Sequence, residues 1–156
     1  MIGWLLDTNV ISTIINPNGA PTVKAWAAAQ DESRFFLSIL TLGEYDKGIH
    51  NVVADHPNRP RFIGARDRLA ARFAGRILSV GDTVVRRCVI SGTTKRLTGQ
   101  SPPVIDTMFA ATALENDLYL VIRNVPDVRA SGAQIFDPWS DDPAKFPLSP
   151  TPRPLH

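Results

Sequence analysis

The run Ile2-Gly3-Trp4-Leu5-Leu6, stopped at once by Asp7, constrains this chain more than any other stretch. It has no polar alternation, so it suits a strand covered on both faces, as in a parallel sheet. Thr8 and Asn9 then supply a turn or the cap of a following helix. A carboxylate at the carboxyl end of a buried parallel strand lies where open α/β sheets hold their ligands. Asp7 therefore has two readings, a helix cap or part of a site, and the rest of the chain must supply it with partners.

The same arrangement recurs downstream. Phe35 to Leu37 reads as a second buried strand, with Ser38 capping a helix that runs to about His50. Asn9 to Ile15 forms a short helix ended by Asn16-Pro17-Asn18-Gly19, and Pro21 opens the next. Asn51 to Pro60 is polar and carries two prolines, which marks a loop. Amphipathic helices follow over about Arg61–Phe73 and Asp82–Leu97, with Ile77, Leu78 and Val80 as a short strand between them. Ser101-Pro102-Pro103 breaks the chain before a helix from about Val104 to Asn116. Tyr119–Ile122 is a strand, and Gln134–Phe136 an edge strand. Alternation of this kind predicts a three-layer α/β sandwich with a mainly parallel central sheet. Six prolines crowd the last twenty residues. That composition sustains neither a helix nor a central strand, so residues 1–139 are expected to form the domain. Residues 140–156 are expected to form an extended tail pinned by Trp139 and Phe146.

Composition narrows the functional classes. Hydrophobic content of 44% and charged content of 21% over 156 residues are those of a soluble globular protein with one core. The lone Cys88 excludes an intrachain disulfide and a cysteine-based zinc site, and its valine-rich surroundings predict an inert buried thiol. Residues 1–11 carry no basic leader, and no apolar run approaches membrane-spanning length, so a cytoplasmic protein with no membrane contact is expected. The net charge of +2 is unevenly spread. Between Pro57 and Gln100 ten basic residues, mostly arginines from Arg59 to Arg96, face only Asp67 and Asp82. Arginine suits phosphate oxygens, so this surplus favours a polyanionic partner over a merely solvated helix surface.

Three further acids fall at element boundaries or on polar faces. Glu44 shares a helix face with Thr41 and Gly48, while Leu42, Tyr45 and Ile49 form the packing face. It either lines a cleft or pairs with Lys47. Asp106 opens a helix, where the dipole favours an acid, but capping does not explain Ala110 and Ala113 on the same face. Small residues there let the helix lie close to the sheet. Asn124 and Asp127 follow the last buried strand three residues apart, as turn formers or as groups facing the cleft.

Four segments, Leu5–Ser12, Leu37–Ile49, Ile105–Ala113 and Leu120–Val128, together resemble the PIN-domain ribonucleases, in particular the toxins of VapBC and FitAB-type toxin–antitoxin pairs. The resemblance covers about Met1 to Trp139. It implies that Asp7, Glu44, Asp106 and Asp127 are an acidic catalytic and metal-binding quartet, with Thr8 and Asn124 as polar neighbours. Family members differ in whether the Asn124 or the Asp127 position supplies the fourth ligand. Where the family commonly has Thr before an Arg-Asn pair this chain has Ile122, and Val128 stands where an aromatic is common. An all-carboxylate set selects Mg²⁺ or Mn²⁺ over zinc. The resemblance implies endoribonuclease activity on RNA, a cognate antitoxin that occupies the cleft, and a homodimer. Two alternatives are a non-catalytic binding module on the same fold and a phosphatase with a strand-end aspartate nucleophile. The phosphatase would need a second Asp two residues after the first, where Asn9 stands.

Overall fold

The computed structural model describes residues 1–97, 99, 103–123 and 125–150; for 92–97 and 127 it describes the backbone alone. The apolar runs form the strands expected of them. In β1 (Gly3–Leu6), β2 (Phe35–Ser38) and β4 (Leu118–Val121) every residue is buried. Two short strands, β3 (Ile77–Leu78) and β5 (Ile135–Phe136), form the edges. The sheet order is β3-β2-β1-β4-β5, and every pairing is parallel. Close pairing of β1 with β2 depends on Gly3, whose absent Cβ would lie 2.3 Å from the Arg34 carbonyl oxygen.

The helices are α1 (Thr8–Ile15), α2 (Pro21–Ala28), α3 (Ile39–His50), α4 (Arg59–Arg72), α5 (Asp82–Leu97), α6 (Val104–Glu115) and α7 (Val125–Val128). Side chains of β1 alternate between two layers. Trp4 and Leu6 pack with α1, α2 and α4 through Val10, Trp26 and Phe73. Leu5 faces Phe109, Ala110 and Ala113 of α6 on the other side. Both of those alanines are fully buried, so α6 lies close against the sheet as the small-residue stripe predicted. Outside α6 lies α5, where Val84 and a buried Cys88 pack on Ala111. This is the three-layer α/β architecture expected from the sequence.

Boundaries differ where proline is better tolerated than the pattern implied. Pro60 sits in the first turn of α4 instead of ending the loop, because the N–H it lacks has no helical partner there. In the tail, Asp142 accepts from the Ala144 N–H at 3.0 Å and caps a three-residue 3-10 turn, Pro143–Lys145. The remainder of 140–150 packs on the core. Phe146 contacts Tyr119 and Phe136, the Tyr119 hydroxyl donates to the Pro147 carbonyl at 3.0 Å, and the Ser149 N–H donates to the Met1 carbonyl at 2.8 Å. The predicted break at Ser101-Pro102 lies outside the described residues.

Chain direction across the sheet reverses at β1. β2 and β3 build to one side, β4 and β5 to the other. The carboxyl ends of β1 and β4 therefore flank the switch point, where open α/β sheets leave a crevice for ligands.

Candidate active site

Asp7 leaves β1 at that switch point, its N–H donating to the Val121 carbonyl of β4 at 3.0 Å. It also caps α1, accepting the Asn9 N–H on Oδ2 at 3.2 Å. The capping reading is thus correct but incomplete. A cap on an exposed helix end would be wet, and Asp7 is only 5% exposed. Burial pushes its pKa from 3.8 up to about 6; the Asn9 and Thr8 N–H groups oppose the rise, and the negative fields of Asp106 and Glu44 add to it. Charge on Asp7 is costly in this fold without a cation, and two other carboxylates are near enough to make it costlier.

Glu44 projects from α3, which Ser38 caps through the Leu40 N–H at 3.1 Å. The Thr8 hydroxyl donates to Glu44 Oε2 and is hydrogen-bonded with the fully buried Thr41 hydroxyl at 3.2 Å. Glu44 is exposed, forms no ion pair with Lys47 among the described residues, and lines the space between α3 and α4. Thr41 was placed on this face by helical periodicity; its role in holding the Thr8 hydroxyl needed the tertiary contact between α1 and α3. Beside these residues a cavity of about 320 Å³ opens between α3 and α4, walled by Tyr45, Ile49 and Phe62.

Asp106 lies in the first turn of α6, half-buried, where Pro103 provides no side-chain cap. The structure thus brings Asp7, Thr8, Glu44 and Asp106 to one end of the sheet. Asn124 lies outside the described residues, and so does the Asp127 side chain, whose backbone belongs to α7. Ile122 and Val128, where the sequence departs from the resembled pattern, are both core residues, 2% and 0% exposed.

The donor set is all oxygen, which suits a hard divalent cation. Among the described residues no group of three or more His, Cys, Asp or Glu is close enough to hold a metal by itself. Mg²⁺ does not require such a cage, since it keeps several waters and takes one or two carboxylates together with substrate phosphate. The residues present fit a loosely held ion completed by water and substrate, not a closed structural site.

The arginine surplus fares differently. Arg66 bonds to Asp46 and Asp67 at 2.7 and 3.0 Å, and Arg72 forks onto Glu32 at 2.7 and 3.1 Å. Arg59 and Arg76 donate to main-chain carbonyls, and Arg86 and Arg87 lie near Asp82 and Glu115. Counting charges within a window missed these acids, because Glu32, Asp46 and Glu115 arrive from outside it. Among the described residues, six of those ten basic side chains are thus tied to acids or main-chain carbonyls, several of them at exposed positions, and the stretch keeps a basic surplus. The side chains of Lys95 and Arg96 lie outside the described residues.

Comparison with known proteins agrees with the fold. The PIN-domain family model matches residues 4–124. The toxin FitB of Neisseria gonorrhoeae is 27% identical over 137 residues, covering 88% of this chain and 99% of that protein. A VapC ribonuclease, Y4jK of Sinorhizobium fredii, is 28% identical over 139 residues, covering 86% and 96%. Among solved structures, FitAB bound to an IR36 DNA fragment superposes with a TM-score of 0.79 at 25% identity, covering 89% of this chain and 97% of that one. Among the described residues no helix is long and apolar enough to cross a membrane.

Proposed function

The chain belongs to the PIN-domain family, and from that premise we propose that it is the ribonuclease toxin of a type II toxin–antitoxin pair, acting in the cytoplasm. Its reaction would be hydrolysis of RNA phosphodiester bonds with Mg²⁺ or Mn²⁺. The observation that carries this reading is Asp7, a buried carboxyl at the switch point raised to about 6 beside Glu44 and Asp106. Among the described residues its partners are the backbone N–H groups of Thr8 and Asn9, with acids and no basic group beside it.

Asp7 and Asp106 would hold the ion, with Glu44 and Asp127 binding it directly or holding and deprotonating water. A divalent cation supplies Lewis acidity toward water and neutralises charge on the scissile phosphate. The chain's own contributions are positional. The cap on α1 fixes the Asp7 carboxylate, and the Thr8–Thr41 pair orients Glu44 toward the same space. Single-stranded or looped RNA is the expected substrate class, because its backbone is accessible to an open crevice. FitB is a toxin and FitAB was solved as a complex on DNA, which supports a cognate antitoxin here; the homodimer is carried by the family resemblance alone. The apolar cavity at Phe62, with Glu44 in its lining, suits an antitoxin segment carrying a basic side chain.

Incubation with total cellular RNA, with and without EDTA and with the Asp7→Asn variant alongside, tests the reading. Discrete cuts that vanish on chelation and in the variant are expected. One rival is a binding module on the same fold, in which the acids serve structure. RNA binding without cleavage under any divalent cation would establish that rival.

A further inference from the structure

The opposite flank of the crevice carries a second arrangement, built on Arg123. This residue follows β4 as Asp7 follows β1, two positions beyond Val121, whose carbonyl receives the Asp7 N–H. Its guanidinium carbon lies 5.0 Å from the centroid of the Trp139 ring. Unlike Arg66 and Arg72, the exposed Arg123 has no ion pair among the described residues.

The platform beneath it is firmly set. Trp139 is half-buried against the core cluster of Trp4 and Phe136. Its N–H donates to Asp137 Oδ1 at 2.9 Å, the Ser140 hydroxyl donates to Asp137 Oδ2 at 3.1 Å, and the Asp137 N–H donates to Asp141 at 2.8 Å. Stacking on an aromatic face restrains a guanidinium while leaving its in-plane N–H groups open to an anion. Arg123 is also the wall shared by two cavities of about 520 and 500 Å³. The first is lined along α1 by Asn9, Ser12, Thr13 and Asn16. Those positions are three, four and seven residues apart, which is one face of a helix. A stripe of uncharged hydrogen-bonding side chains beside one preset cation matches the groups that contact phosphate and sugar without reading bases.

We propose that Arg123, restrained by Trp139, binds a backbone phosphate of the RNA away from the scissile bond, and that the polar face of α1 continues this track. The proposal rests on the ribonuclease reading for its ligand and deepens it. An extended nucleic acid strand fits better than a small anion, because the first cavity lies open along α1; the second, lined by Asp137 and Asp141 as well as Arg129, lies outside the track. Arg123 is a phosphate-binding residue in this account and takes no part in bond cleavage.

The test is binding of a fluorescein-labelled mixed-sequence RNA of about twelve nucleotides to full-length Asp7→Asn protein over a range of salt. Adding Arg123→Ala should weaken binding about five- to tenfold at low salt and reduce the slope of log K against log salt by about 0.7. Arg123→Lys should keep the slope while losing part of the affinity, since the charge remains and the stacked fork does not. Trp139→Leu should cost several-fold in affinity at unchanged slope. An unaltered slope in Arg123→Ala, with or without a lower melting temperature, overturns the proposal and leaves a structural role. An unaltered slope together with lost affinity for a co-expressed antitoxin would assign the residue to that partner instead. Failure of the ribonuclease reading is separately visible: RNA then goes uncleaved by wild type at every divalent cation tested, whatever the slopes show. If wild type and Asp7→Asn both fail to bind the RNA, both readings fall.

Discussion

The acidic end of the sheet and the arginine-rich helices are opposite cases of charge in one small fold. On α4, Arg66 and Arg72 meet Asp46, Asp67 and Glu32, and the Arg72 fork holds the Glu32 carboxyl below its ordinary value. At the sheet end, Asp7 is pushed the other way, to about 6, by burial beside its like. One region pairs its charges with opposite ones, and the other gathers carboxylates whose like charge a bound cation would relieve. Internal partners mark charges that serve the fold, whereas concentrated like charge marks a place kept for a ligand.

That contrast is broken most severely at Asp7. Asp7→Asn preserves the cap on α1, since Asn caps as well as Asp, yet RNA cleavage should fall by on the order of 10³-fold. Cut-site mapping at saturating Mg²⁺ measures this; cleavage within threefold of wild type would remove Asp7 from the mechanism.

Stability should move in the other direction. The folded pKa of Asp7 is about 6 against 3.8 for an unperturbed aspartate, so the fold binds this proton more tightly than the unfolded chain does. Metal-free wild type therefore loses stability as pH rises from about 4 through about 6, and the loss is complete above that window. Asn does not titrate. Asp7→Asn should be more stable than metal-free wild type by about 3 kcal/mol at pH 7.5, at about 1.4 kcal/mol per pKa unit, with little difference near pH 4. Urea melts at the two pH values in chelator give the comparison, and a pH-independent difference would refute the electrostatic account.

A smaller effect is expected at Thr8. Thr8→Val removes the hydroxyl that holds Glu44 and leaves the Thr41 hydroxyl buried without it. Cleavage should drop about tenfold, since hydrogen bonds to charged groups contribute about 1.5–3 kcal/mol. Thr8→Ser should retain most of the rate. Equal rates for Val and wild type would mean that the carboxylate needs no orientation.

The least change belongs to the arginine side of the comparison. Arg72 and Glu32 are each 48% exposed, so solvent screens their pairing. Arg72→Ala should cost about 0.5–1 kcal/mol in thermal or urea unfolding and leave RNA affinity within twofold. A large loss of RNA binding with unaltered stability would return α4 to the substrate surface.

The sequence by itself determined the layered α/β fold and its main elements. Apolar runs of three to five residues bounded by Asp7, Ser38 or Arg123 read as buried short strands, and helical spacing assigned Thr41 and Glu44 to one face. Those are local properties, set by periodicity and by which residues cap or break a helix. Tertiary structure alone decided what each charge does. It placed the switch point at β1 and β4, which makes the end of the first run a crevice and not just a turn. It brought Glu32 and Asp46 to arginines far along the chain, and it laid Trp139 under Arg123. Electrostatic energy depends on distance and burial, and neither can be read from position along the chain when the partners lie 20 to 40 residues apart, as in Asp46–Arg66 and Glu32–Arg72.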